Sequence, residues 1–320
     1  LHVLTHSFPT RRSSDLLTYL PFGHIVPQGD TTGIPVRLSD AMELIDRTTD
    51  FIVSNQHLQL VDELATSKRF KNIKLLNYVD EYDPDVQKQF AAMTYRLSLD
   101  TYLVVFRGTD DTLIGWKEDF HMTYMDHVPA QKRAASYLQH VMKEFPKGRF
   151  LVAGHSKGGN LATYACSYLP DSLFERVDAI YSYDAPGLNK AIIETEGYQR
   201  TSPNIRRFVP QGSIVGMMLE VPEPTTIVKS HAFGGFAQHD AFTWEIKDYS
   251  FVTVSETSPD SQQTDLTLKQ WVRETSAEER KKFFDTFFGI FLDAGITSIN
   301  DLTDLKQLAK AKEILQNAQD

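Results

Sequence analysis

Within the stretch "FLVAGHSKGGNLATYA", Ser156 lies between Gly154 and Gly158, where an apolar run stops and a run of small residues begins. The stretch is either a tight turn that contains a serine or a nucleophile held out on a bend. The spacing is G-x-S-x-G, in which the serine takes a strained backbone and bulk two residues to either side would collide. That bend lifts the hydroxyl above the carboxyl end of a strand. It also puts the next backbone N–H, that of Lys157, at a helix N-terminus, aimed where an oxyanion would form. With glycine at roughly 7% of residues, chance flanks a given serine this way roughly once in 200 cases. The apolar run before it and the small-residue run after it raise the pattern above an ordinary turn.

A nucleophilic serine needs a base and an acid, in the chain order Ser, Asp/Glu, His for this kind of site. Of ten histidines only His231 and His239 follow Ser156. His239 is preferred because a predicted strand, Ala241–Ile246, follows it, so that a loop would deliver it to the sheet edge. His231, before the flexible "FGGF", is the alternative base. Asp184 ends a predicted strand in "YSYDAPG" and is the expected acid, the other reading being a turn-initiating aspartate. Asp178 would sit at the start of that strand, on the wrong side. In "VVFRGTDDTLIGWKEDF", Thr109 closes another strand and offers a backbone N–H and a hydroxyl as a second oxyanion donor. A plain hairpin-like turn is its alternative.

These residues need a frame, and the pattern supplies an α/β one with a largely parallel sheet. "YLVVFRG", "RFLVAG", "VDAIYSYDAPG" and "NIRRFVPQGS" read as strands, the first two as apolar runs buried on both faces. "AQKRAASYLQHVMKEF" repeats apolar residues at Ala134, Leu138, Val141 and Phe145, a helical stripe that Pro146 stops. From Leu16 to about Asp80 the reading is mostly helical, with Met42, Leu44, Ile45 and Phe51 turned inward and Ser39 or Asp40 as N-cap. "SETSPDSQQTD" reads as a polar linker into a C-terminal helical appendage over 266–272, 277–292 and 302–316. The expected division is a foreign or disordered tail (1–15), a catalytic domain (16–254), and linker plus helices (255–320).

Composition narrows the partners. The chain has 320 residues, 41% hydrophobic and 23% charged, enough for a sizeable core. A net charge of −9 without a basic stripe argues against nucleic acid. One cysteine, Cys166, permits no internal disulfide and fits a reducing, cytoplasmic setting. No run of about 20 apolar residues is available to span a bilayer. "FFDTFFGIFLDAGI" is expected to be a helix against the body, contact with a membrane surface being the alternative. No His/Asp/Glu cluster has metal-ligand spacing, and the chemistry calls for neither metal nor cofactor.

At this point the motifs resemble a known family. "VVFRGT" followed by Trp116, then "GHSKGG", is similar to the fungal-type triacylglycerol lipases (lipase class 3) of the α/β-hydrolase superfamily. "GHSKGGNLA", "YDAPG" and "QHDAFTW" together resemble more closely a bacterial family of lipase-like proteins of unknown function. The resemblance implies Ser156 as nucleophile, His239 as base, Thr109 and the Lys157 N–H as oxyanion hole, and Asp110–Tyr124 as the region of a lid. It implies a small-molecule ester or lipid substrate. One departure stands out: where class 3 lipases carry the acid after a later strand, this chain reads "GSIVG", with Ser213 in that place. Either Asp184 has taken over the acid role or the triad is incomplete. Lys157 also replaces the usual apolar residue. Its ammonium is expected in solvent, or at the mouth, where it would attract an acidic or phosphorylated head group. The rival functions are an idle scaffold binding a lipid or protein through its C-terminal helices, and an acyltransferase, thioesterase or peptidase using the same nucleophile.

Overall fold

In the computed structural model the described residues are 17–29, 33–48, 54–83, 88–109, 117, 120–122, 124–248 and 250–293. The expectations for the 1–15 tail, for Phe51, for most of the lid region and for a helix over 302–316 lie outside them. The strands are β1 (Val36–Arg37), β2 (Lys74–Asp83), β3 (Lys88–Arg96), β4 (Thr101–Phe106), β5 (Arg149–His155), β6 (Val177–Tyr183), β7 (Ile205–Pro210), β8 (Thr225–Val228), β9 (Ile246–Lys247), β10 (Ser250–Phe251) and β11 (Thr253–Val254). Nine of them form one sheet in the order β1-β2-β3-β4-β5-β6-β7-β8-β11, while β9 and β10 make a small hairpin. β4 to β8 run parallel. The β1–β4 side and β11 are antiparallel. The fold is α/β with a mostly parallel centre, as in an α/β-hydrolase.

The central strands are apolar on both faces because both faces are covered. On one side α1 (Leu38–Leu44) and α2 (Asn55–Thr66) bring Met42, Val61 and Leu64 onto Leu103, Val105 and Leu151. On the other, α3 (Pro129–Glu144) and α4 (Lys157–Ser167) cover Val104, Phe106 and Val152, and the short helices α5 (Asp171–Phe174), α6 (Lys190–Ile193) and α7 (Glu196–Thr201) follow. The predicted stripe on α3 is buried at Ala134, Leu138 and Val141. Phe145, just past the helix, stacks on Tyr102 with ring centroids 4.4 Å apart.

Several expectations fail for physical reasons. The first quarter is helical over α1 and α2, but β2 begins at Lys74, inside the stretch read as helical, and β3 follows it. Their sequences mix apolar and polar residues with little period, and a long antiparallel ladder from Lys74↔Arg96 to Asp83↔Lys88 supplies the order instead. Leu44 is 66% exposed. It ends α1, the chain turns extended at Ile45, and Ile45 is buried in its place. The N-cap of α1 is Arg37, not Ser39 or Asp40. The polar "linker" contains a helix start: Ser258 caps α9 (Pro259–Glu274) with Pro259 at its first turn, a pairing that favours a helix N-terminus. A second C-terminal helix, α10 (Ala277–Asp293), buries Phe284 and Phe288, and Phe120 stacks on Phe284 at 4.5 Å. Phe283 and Phe287 remain 52% and 41% exposed. Among the described residues no helix is long and apolar enough to cross a membrane.

Candidate active site

The parallel strands deliver their carboxyl ends to one edge, where ligand sites of open α/β sheets form. There β4 runs into Arg107–Thr109, β5 into Ser156, and β6 into Asp184. Ser156 has φ 55° and ψ −133°, a conformation that L side chains rarely adopt and that costs about 1–3 kcal/mol. What enforces it is packing without bulk. A Cβ on Gly154 would fall on the Gly158 backbone, and one on Gly158 would fall on the Phe106 carbonyl. The two glycines of the motif let α4 begin directly against the sheet, so the backbone between them must bend sharply at the serine. Ser156 N–H donates to the Tyr183 carbonyl at 2.9 Å, which holds the bend to β6. Ser156 is itself only 5% exposed.

Asp184 has φ 42° and is completely buried. Its Oδ2 lies 2.7 Å from Nδ1 of His239. With Nδ1 engaged, Nε2 is the imidazole nitrogen open to a proton from elsewhere. The structure thus pairs the expected acid with the preferred base. It does not bring His231 to them: His231 is exposed, and its N–H donates to the Thr243 carbonyl.

The route by which His239 arrives differs from the expected loop before a strand. His239 is the last residue of a short helix, α8 (Gly235–His239), and Ala241–Thr243 form a 3-10 turn rather than a strand. Asp240 decides this. Its carboxylate accepts the Phe242 N–H at 2.8 Å and its carbonyl accepts the Thr243 hydroxyl, local bonds that win over extended pairing. The base is then fixed from several directions. His155 Nε2 donates to the His239 carbonyl at 2.8 Å, and the two imidazoles lie against each other, tilted by 34° with centroids 4.5 Å apart. Gln238, also buried, accepts the Gly212 N–H at 2.8 Å, and its own carbonyl accepts Trp244 Nε1–H at 2.8 Å.

Thr109 follows Gly108, whose missing side chain lets this turn rest against Ser156. A Cβ there would stand 2.8 Å from the His155 carbonyl and 3.2 Å from Ser156 Cβ. The turn is anchored by Arg107, which gives two hydrogen bonds to Asp80 at 2.9 and 3.0 Å. Burial works against the Arg107 charge, and Asp80 more than offsets it, so the guanidinium ends above its ordinary value. Lys157 corrects the expectation of a solvated ammonium, being 1% exposed. Every residue of α4 is buried, which leaves a side chain at its first position no route to water.

Residues the motif reading missed as contributors are His155, Gln238, Arg207, Gly216 and the hydroxyl of Ser213. Ser213 Oγ donates to Asp184 Oδ1 at 2.5 Å. The signal was present in one respect only: position 213 stood out as lacking a carboxylate, but nothing in its neighbours said that it would face one. Among the described residues no group of His, Cys, Asp and Glu could hold a metal ion.

No curated protein sequence matches this chain. Among solved structures it is similar to an MDLA variant from Penicillium cyclopium, 12% identical, covering 78% of this chain and 87% of that one with a TM-score of 0.47. It is also similar to M37 lipase, 15% identical over 66% and 69% of the two chains, with a TM-score of 0.43. A deletion mutant of Rhizomucor miehei lipase with its propeptide matches at 18% identity over 54% of this chain, with a TM-score of 0.37. That last match spans 58% of the lipase chain, less than two thirds of its length. Likeness at this level speaks to none of the chemistry. The sequence itself matches the Mbeg1-like family over residues 64–289, well over half of its length, and the chain belongs to that family.

Proposed function

We propose that this chain is a serine hydrolase acting on carboxylic esters, small or lipidic, through an acyl-enzyme. The observation that carries the reading is a serine forced to φ 55° on a strand-to-helix bend, at the same sheet edge as an Asp184–His239 pair 2.7 Å apart. Ser156 Oγ attacks the ester carbonyl while His239 Nε2 takes its proton. The new C–O bond converts the carbonyl into a tetrahedral oxyanion, which accepts hydrogen bonds from the Thr109 and Lys157 N–H groups. Collapse expels the alcohol, which receives the proton from His239, and leaves the acyl group on Ser156. Water then repeats the sequence and releases the acid. Asp184 orients the imidazole and balances its transient charge.

The test is fluorophosphonate labelling together with turnover of nitrophenyl esters of graded chain length. It compares wild type with Ser156→Ala, His239→Ala and Asp184→Asn. Each substitution should lower kcat by about 10⁴. Wild type that labels no more than Ser156→Ala would leave only the idle scaffold. Full turnover in Asp184→Asn would remove the acid assignment alone.

A further inference from the structure

We infer that Ser213 and Ser261 are positioning residues for the triad acid, and that through them helix α9 holds one side of the active site. The inference rests on the reading of Asp184 as that acid. The two carboxyl oxygens of Asp184 face different partners. Oδ2 meets His239, while Oδ1 accepts the Ser213 hydroxyl at 2.5 Å and the Gly216 N–H at 3.2 Å. The terminal torsion of an aspartate is soft and roughly twofold, so a carboxylate held at one oxygen would swing the other away from the imidazole. Two donors on Oδ1 stop that rotation. The Ser213 hydroxyl is itself oriented, because its oxygen accepts the Gly216 N–H at 3.0 Å and its single proton is directed at the carboxylate. Position 216 is glycine for the same reason. A Cβ there would stand 2.5 Å from Asp184 Oδ1 and 2.6 Å from Ser213 Oγ.

The turn carrying Ser213 and Gly216 must in turn be held. Arg207, 4% exposed on β7, donates to the Gly216 carbonyl and to the Ala185 carbonyl, clipping the turn to the residue after the acid. Further attachments come from the start of α9. Ser261, 2% exposed, donates its hydroxyl to the Ser213 carbonyl at 2.5 Å, and the Ser258 N–H donates to the Gln211 carbonyl at 2.6 Å. A helix serine commonly bonds back to its own turn. Ser261 bonds instead across 48 residues of sequence to the acid's cradle. The C-terminal helices are therefore joined to the site by a continuous chain of hydrogen bonds: Ser261, Ser213, Asp184, His239.

The experiment is a double-mutant cycle on the full chain. Nitrophenyl ester turnover, fluorophosphonate labelling rate and thermal melting are measured for Ser213→Ala, Ser213→Thr and Ser261→Ala, each alone and combined with Asp184→Asn. Ser213→Ala should lower kcat about 10-fold at unchanged KM, the scale of one hydrogen bond to a charged group. Ser213→Thr keeps the hydroxyl and should recover most of that loss. Ser261→Ala, one step further away, should lower kcat about threefold. In the Asp184→Asn background neither Ala substitution should slow labelling further, because both act through the acid. Wild-type kcat in Ser213→Ala, or equal losses in both backgrounds, overturns the inference. Wild-type kcat in Ser261→Ala overturns the part given to α9. If Ser213→Ala fails to fold, Ser213→Thr and Ser261→Ala carry the same cycle. If Asp184→Asn alone turns over like wild type, the acid assignment has failed and the inference falls with it.

Discussion

Gly158→Ala adds one carbon at the contact between α4 and the end of β4. A Cβ built there lies 2.1 Å from the Phe106 carbonyl oxygen and 3.0 Å from the Arg107 carbonyl carbon, where real Cβ contacts essentially never fall under 3.0 Å. Both obstacles are backbone, so no side chain can swing aside. The helix must retreat by about 0.9 Å, the shortfall from that limit. The Lys157 N–H, one residue earlier, moves with it, and so does Ser156 relative to Thr109. A misplacement near 1 Å at a reacting centre costs about 10²-fold in rate. The overpacking itself costs about 1–3 kcal/mol of stability. Helix propensity alone would give the opposite sign, since alanine in place of glycine within a helix is favourable by about 1 kcal/mol. The assay is ester turnover beside a urea unfolding curve. A variant that stays within threefold of wild-type kcat and melts no earlier would refute the claim that this contact sets the oxyanion geometry.

Ser156→Gly should abolish turnover yet raise stability by about 1 kcal/mol, because glycine adopts φ 55° without strain; an unfolding midpoint at or below wild type would contradict that. Asp80→Ala strips the buried Arg107 of its partner and should cost about 3 kcal/mol, with kcat falling as the Thr109 turn loosens; an unchanged urea midpoint is the contrary result. His121 is pushed down to about 4 by burial, with Lys117 and Lys281 adding to the shift and Asp285 opposing it. Its folded value lies below that of the unfolded chain, so this contribution is present above about pH 6.5 and is lost as pH falls toward 4. His121→Gln should flatten that limb of the Tm–pH curve, and superimposable curves would exclude it. Cys166 is fully buried and burial drives its thiol pKa up, so a disulfide reagent should react only after unfolding; fast labelling of the native protein would show otherwise.

What could be read from the amino acids alone was whatever short-range sterics or apolar runs dictate. Gly154, Ser156 and Gly158 declare the bend because the steric demand acts within five residues. β4 and β5 declare themselves because strands covered on both faces are largely continuous apolar runs, and β6 because its strand residues run into Asp184-Ala-Pro-Gly. Asp184 and His239 are legible as acid and base, but the short helix that delivers His239 is not, since its place depends on the long-range contacts of Gln238 and His155. β2 and β3 were hidden because their order comes from each other. The burial of Lys157 is hidden for a related reason: a charged residue at a helix start is ordinarily solvated, and only the depth of α4 in the sheet's cover overrides that.

The nine-stranded sheet ends in two-residue strands on both margins, β1 and β11. A wide sheet with long open rims would template growth, each rim offering a ladder of unsatisfied donors and acceptors to a second molecule. Here β1 pairs only with Lys74 and Leu75, and the ten-residue β2 runs on past that short cover. Its further half carries Asp80, Glu81 and Asp83, charges that disfavour a second strand laid along the same rim, so neutralising them should promote self-association.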